Sequence, residues 1–534
     1  MKTGRLLDSA SAQALRWDWL RDAVAPRSAY GHRLFETIEP FQPGAEEDAG
    51  ARAQRISAIA QALDDAKLDA AREIVRHAGD AGTAIARASM GDTLEDANFL
   101  ELQRFFDACE RLDALGAACE YLPRTASTAV RECARALERG RAGSFGFYLD
   151  DGFDTALANA RATHAKAQAE YEAARGRETA AVALALGREI SAPEFIVMRA
   201  DLNGALPAGV RVVREAPTYV LCEIDVGESA LEALRRRDDS AAAVAQAEER
   251  VRERLSEAIR SNAAALERAA SAFGEADVLI AAARFARAHL CIPASIESAG
   301  GFEFTGGRFV PLALELETQG RVFTPIDLEL PEIAVLTGPN MGGKSVALRT
   351  CGFIAMCAAY GLPVPAQRTR LALFAEIDWL GVGADEDTGG LLSSFAREVV
   401  RLRDLLARER RPRLILLDEF ARTTTPREGK ALLVAVIERL RSEGASGLAA
   451  THLGGVAQAA GVRHFAVRGL RGIAQWPAAE NLSQALATLA ASMDYTLEEV
   501  GDEGARGADA IALAALLGID RPIIDSAYRA LESG

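Results

Sequence analysis

Apolar residues recur every three to four positions from about residue 46 to residue 139, as in DTLEDANFLELQRFFDACERLDALGAACEYL, and this period predicts a packed helical core. A second helical arm starts near Thr155, where TALANARATHAKAQAEYEAARGRETAAVALAL carries a single interior glycine, Gly176. The pattern changes between 193 and 226. There EFIVMRA, GVRVVREA and TYVLCEI are β-branched runs separated by Asn-Gly and Pro-Ala-Gly turn signals, which predict a small β-rich tip. Residues 231–273 then contain no Gly or Pro, and an unbroken helix of that length would be a rod of roughly 65 Å. Along it Val244, Val251, Leu255, Ile259, Leu266 and Phe273 form a narrow stripe suited to an antiparallel partner helix. From about residue 306 short β-like runs alternate with helical ones, IAVLTG, RLILLDE and GLAATH among them, and such alternation marks a parallel sheet covered by helices.

The predicted fold class is therefore α + α/β multidomain. A helical core over 1–150 leads into lever helices over 151–274 with a compact β tip at about 193–226, and 275–305 returns to the core. Residues 306–534 form a parallel-sheet α/β domain. A chain of 534 residues has room for about three such domains. Aromatics at 6% of the chain favour long helices over an all-β design, and a net charge of -15 argues against a generally basic nucleic-acid binder. The seven cysteines are scattered and form no C-x-x-C, which suits buried thiols in a reducing compartment. The six histidines include no H-x-x-H pair, so a metal site built from protein side chains alone is not expected. The longest charge-free apolar stretch, CGFIAMCAAYGLPVPAQ, is too short and too broken for a membrane span, and the opening residues lack the apolar run of a signal peptide. A cytoplasmic protein is expected.

Chemistry enters with IAVLTGPNMGGKSVALRT, a strand, then G-x-x-x-x-G-K-S, then a helix. In such a loop Gly338 and Gly343 let backbone N–H groups turn onto phosphate oxygens, Lys344 reaches the β and γ phosphates, and the Ser345 hydroxyl ligates Mg²⁺. ATP and Mg²⁺ are the implied cofactors. About 75 residues on, the apolar run LILL ends in Asp418 and Glu419. Asp418 is suited to the Mg²⁺ shell and Glu419 to activating the attacking water. His452, at the end of a third strand-like run, is placed to sense the γ-phosphate.

These motifs resemble the MutS family of DNA mismatch-repair ATPases, in which TGPNMGGKS is nearly a signature, and the resemblance implies that 306–534 is a P-loop, ABC-like, parallel-sheet ATPase domain. The resemblance implies that Gly338, Pro339, Asn340, Met341, Gly342, Gly343, Lys344 and Ser345 bind ATP, and that Phe323 in VFTPIDLEL stacks on adenine. It assigns catalysis to Glu419, His452 and Lys344, and Mg²⁺ to Ser345 and Asp418. GADEDTGGLLSSFAREV is similar to the family's transporter-like signature segment, with Ser393, Ser394, Phe395 and Glu398 on matching positions. Ser393 and Ser394, with Arg422, would reach across a homodimer. The closing GARGADAIALAALLGIDRPIIDSAYRAL resembles the helix-turn-helix that pairs two ATPase domains.

Two departures bear on the client. Mismatch readers begin with a domain carrying a Phe-x-Glu wedge. Here the F-x-E matches begin at Phe99, Phe273 and Phe374, none in a leading domain, so mismatch specificity is not expected. After the acids, repair proteins carry a Gly-Arg-Gly-Thr type segment, whereas this chain reads Ala421-Arg422-Thr423-Thr424-Thr425-Pro426. Loss of both glycines removes easy access to positive φ, so this loop is expected to follow another path. That segment resembles a MutS-like subgroup associated with adenosylcobalamin-dependent amino-acid aminomutases, which implies a protein client. The alternative client is DNA of unusual shape, with no membrane partner in either case.

Overall fold

The computed structural model describes residues 1–142, 146–192, 194–202, 205–298, 300–339, 342–381, 394–470, 493–501, 511, 514–515 and 518–533. The chain mixes helices with several sheets and divides into two compact units. One comprises Met1–Arg76, Leu112–Arg124 and Ser271–Gly534, and the other His77–Arg111 and Thr125–Ala270.

The second unit is built on two long helices, Thr155–Leu186 and Glu228–Ser261. At 32 and 34 residues they are about 48 and 51 Å long. Their cross-contacts run in opposite chain directions, from Asp154–Arg254 through Arg161–Glu248 and His164–Ser240 to Glu178–Gly227, so the pair is antiparallel. Small residues allow close approach at Ala174, Ala230 and Ala233. Gly176 is tolerated inside its helix, with open space where a side chain would stand. Between the helices lies a three-stranded antiparallel sheet, with Tyr219–Ile224 in the centre flanked by Glu194–Met198 and Val210–Glu215.

The expected single rod over 231–273 is not observed. The helix ends at Ser261, and a second begins at Ala263 and runs to Ala288. Asn262 makes the break with φ -106° and ψ 2°, and its side-chain amide donates to Ala258 O at 3.0 Å. A short polar side chain that competes for backbone groups ends a helix without Gly or Pro.

The first unit contains the sheet that positions the candidate site. Its strand order is Glu376–Gly381, Arg413–Asp418, Ser446–Ala450, Ile333–Thr337, His464–Leu470 and Met493–Glu499, all parallel except the last. The strand Ile333–Thr337 is buried at every position and Arg413–Asp418 at all but its last, as expected where both faces are covered. The edge strand Glu376–Gly381 is closed by the N-terminal segment: Ile377 N donates to Leu6 O at 2.8 Å and Trp379 N to Ser11 Oγ at 2.9 Å. Such cover removes the exposed donors that make an edge strand sticky. A smaller four-stranded sheet in the same unit contains Ile326–Leu330 and Phe302–Gly307. Among the described residues no helix is long and apolar enough to cross a membrane.

Candidate nucleotide site

Parallel strands bring their carboxyl ends to one edge, and the register aligns them closely. Asp418 pairs with Ala450 and Ala450 with Leu336, so Glu419, Thr451 and Thr337 stand just beyond that row. Glu419 N donates to Ala450 O at 3.0 Å and Thr451 N to Leu336 O at 3.0 Å, extending the ladder by one residue. The strand Ser446–Ala450 lies between the glycine-loop strand and the acid strand, which sets the acids at one strand's remove from the loop.

The loop leaves Thr337 and enters the helix Lys344–Ala359. Gly338 has φ +150° and Gly343 φ +86°. A Cβ on Gly338 would lie 2.9 Å from Val467 Cβ, and one on Gly343 would lie 3.2 Å from the ring of Tyr495. Both glycines are thus required by conformation and by space. Lys344 is buried, and its Nζ donates to Gly338 O at 2.9 Å and Pro339 O at 3.2 Å while standing 3.5 Å from Glu419 Oε1. Ser345 Oγ donates to Asp418 Oδ1 at 2.9 Å. Burial pushes Asp418 above the usual carboxylate range, opposed by the Ser345 hydrogen bond and reinforced by the charge of Glu419.

The donor set fits the implied cofactors. Ser345 and Asp418 converge as two hard oxygens at the start of a helix, suited to a Mg²⁺ that takes its remaining ligands from phosphate and water. Lys344 sits at the same helix start, where N–H groups and the helix dipole favour phosphate.

Other sequence-assigned residues fall less simply. Asn340, Met341 and Ser393 lie outside the described residues, as does the opening part of the helix-turn-helix segment, 504–510; Ser394 opens a helix but its side chain is outside them. Phe323 is buried at 9% exposure, so most of its ring surface is already covered by protein. His452 is exposed, two residues beyond the strand Ser446–Ala450. Arg422 contacts its own chain: Nη1 stands 3.4 Å from Glu419 Oε2, so Lys344 and Arg422 flank the two oxygens of Glu419.

Segment 421–426 reaches positive φ although alanine and threonine replace both glycines. Ala421 has φ +61° and Glu419 φ +55°, left-handed residues on either side of the buried Phe420. Ala421 N donates to Glu398 Oε2 at 2.9 Å. Burial raises Glu398, opposed by that hydrogen bond and by the charge of Arg422. Downstream, Thr425 caps the helix Pro426–Ser442 by accepting from Glu428 N, with proline in the first turn. Tyr495 was missed by sequence reasoning. It lies on the last strand, far from the loop in the chain, and no spacing rule connects it to Gly343.

A glycine loop at a helix start thus stands beside a hydroxyl, a lysine and two strand-end acids, a set suited to phosphate. Residues 334–532 match the family model described as MutS domain V. It is similar to Endonuclease MutS2 of Carboxydothermus hydrogenoformans, 32% identical over 208 residues, covering 38% of this chain and 26% of that protein. It is 36% identical over 211 residues to Endonuclease MutS2 of Gemmatimonas aurantiaca, covering 39% and 25%. Against Endonuclease MutS2 of Thermomicrobium roseum it is 42% identical over 136 residues, covering 25% and 17%. The chain thus spans about a quarter or less of the length of these relatives.

Proposed function

We propose that this chain is a Mg²⁺-dependent ATPase that works as a homodimer and couples ATP turnover to its hold on DNA of unusual structure. The observation that carries the reading is the convergence of Lys344, Ser345, Asp418 and Glu419 at one sheet edge. Bound Mg²⁺ would offset phosphate charge and align the leaving group. Lys344 exchanges its bonds to Gly338 O and Pro339 O for phosphate oxygens, which releases Glu419 from one of its two cations. Glu419 then accepts the proton of the attacking water. Ser393 and Ser394 complete the partner's site, and His452 senses the γ-phosphate. The long helix pair of the second unit acts as the lever that carries the nucleotide state to its β tip.

DNA comes forward as the client because the relatives bear the name of an endonuclease. An aminomutase client would rest on the resemblance of segment 421–426 and the acidic balance of the chain. No relative named above points to an aminomutase.

Two variants test the site. Lys344→Ala is expected to weaken ATP binding by about tenfold or more, equivalent to about 1.4 kcal/mol. Glu419→Ala should bind ATP normally and lose turnover by roughly 10²–10³-fold. Steady-state ATPase assays with fluorescent-nucleotide titration read both, and equal rates for wild type and the two variants would reject the assignment.

A further inference from the structure

The backbone around Glu419 is held in an uncommon shape. Glu419 and Ala421 are both left-handed, and Ala421, only 2% exposed, has its amide in the protein interior. A buried N–H needs an acceptor, and a left-handed alanine persists only where its surroundings over-determine it. Upstream the anchor is the bond from Glu419 N to Ala450 O, at the end of the neighbouring strand. Downstream Arg422 N donates to Glu419 O at 3.2 Å and Thr424 N to Ala421 O at 3.3 Å, which closes the turn on itself. From outside the turn, the Ala421 amide is held by Glu398, at 2.9 Å. Glu398 sits one turn into the helix Ser394–Leu406, whose Phe395 packs against the same apolar cluster as Phe420 and Ala421.

We infer that Glu398 is a positioning residue for Glu419: its carboxylate fixes the Ala421 amide and with it the left-handed turn that aims Glu419 at Lys344. The inference rests on the ATPase reading above. It extends that reading by linking the acid turn to the helix that begins directly after Ser393, so a displacement of that helix is passed to Glu419 through one hydrogen bond. Glu398 touches neither Lys344 nor Ser345 by any contact found among the described residues, and it reaches Glu419 through the Ala421 amide and, more weakly, through the charge of Arg422.

The test compares Glu398→Ala with Glu398→Gln, whose side-chain carbonyl can still accept from Ala421. Glu398→Ala should keep its ATP KM within about twofold while kcat falls about tenfold to a hundredfold, since small misplacement of a reacting group costs rate more than binding. Glu398→Gln should recover kcat to within about threefold of wild type. Hydrogen exchange at the Ala421 amide supplies a readout independent of activity: slow in wild type and Glu398→Gln, fast in Glu398→Ala. If Glu398→Ala does not fold, Glu398→Asp, one methylene too short to reach, takes its place with the same expectations. Unchanged kcat, a raised KM at constant kcat, a glutamine variant no better than alanine, or unaltered exchange at Ala421 would each overturn the inference. A wild type without ATP turnover would instead sink the ATPase reading, and amide exchange would still decide whether Glu398 holds the turn.

Discussion

Ala421 shows how a single backbone position carries opposing costs. At φ +61° its Cβ costs roughly 1–2 kcal/mol, a penalty glycine would escape. Glycine would also raise the entropy of the unfolded chain by an amount worth about 0.5–1 kcal/mol, so Ala421→Gly should leave stability unchanged or raise it by no more than about 1.5 kcal/mol. Ala421→Val has no such balance. A β-branched residue at positive φ, in a position already packed beside Phe420, should cost about 2–4 kcal/mol. Urea unfolding of the two variants measures the contrast, and a valine variant as stable as the glycine one would refute the left-handed assignment. The same residue marks a limit of sequence reading. Replacing glycine removes easy access to positive φ, yet a buried neighbour and a carboxylate acceptor hold alanine there. The glycines at 338 and 343 were legible because phosphate binding itself demands them, whereas Tyr495 and the Glu398 bond depend on folding that brings distant segments together.

At the scale of elements, the edge strand Glu376–Gly381 carries a cluster of charged contacts. Asp378 is buried with Oδ1 3.0 Å from Arg408 Nη1, and its Oδ2 has no hydrogen-bond partner among the described residues. Arg408 also stands 3.3 Å from Glu376, and Arg401 holds Asp8 at 3.0 Å, which ties the N-terminal segment to the helix Ser394–Leu406. Burial pushes Asp378 up to about 6 from an ordinary 3.8, against the opposing charge of Arg408. An acid raised in the folded state binds its proton more tightly there, so its contribution is full below pH 3.8 and is lost as pH rises through about 6. The shift corresponds to about 3 kcal/mol. Asp378→Asn removes that dependence, so its stability relative to wild type should improve by up to about 3 kcal/mol between pH 4 and pH 7. Tryptophan fluorescence during denaturation measures it, and parallel pH curves for the two proteins would count against a raised Asp378. Sequence pattern revealed the continuous apolar strands IAVLT and RLILLD, because burial on both faces leaves an unmistakable run. It did not reveal that residues 6 and 11 close the sheet edge, since that contact spans most of the chain and uses backbone groups every residue possesses. Nor did it reveal the break at Asn262, which a scan for Gly and Pro overlooks.

At the scale of the whole molecule, charge constrains any hold on DNA. With 76 acidic residues against 61 lysines and arginines, phosphate contact must come from local patches. The polar cavity of about 590 Å³ in the second unit offers no such patch, because Arg250, Arg254 and Arg260 there face Asp92, Glu253 and Glu257. Few phosphate contacts imply weak binding to ordinary duplex, and log affinity should fall with log salt by about 0.9 for each phosphate engaged. Recognition would then come from the shape of the DNA, because phosphate contacts position a protein without reading sequence. We therefore expect matched and mismatched duplexes to bind alike and a branched junction to bind about tenfold tighter, a difference of about 1.4 kcal/mol. An ATP-driven switch adds a further requirement: it moves its client only if the client distinguishes its nucleotide states. Junction affinity of the Glu419→Ala variant should therefore differ between ATP and ADP by about tenfold. Fluorescence anisotropy with the three DNAs, in each nucleotide and at two salt concentrations, measures these differences. A mismatch preference of about tenfold would mean that the chain reads mispairs after all. Equal affinity for all three DNAs in both nucleotide states would remove DNA as the client and return a protein partner to first place.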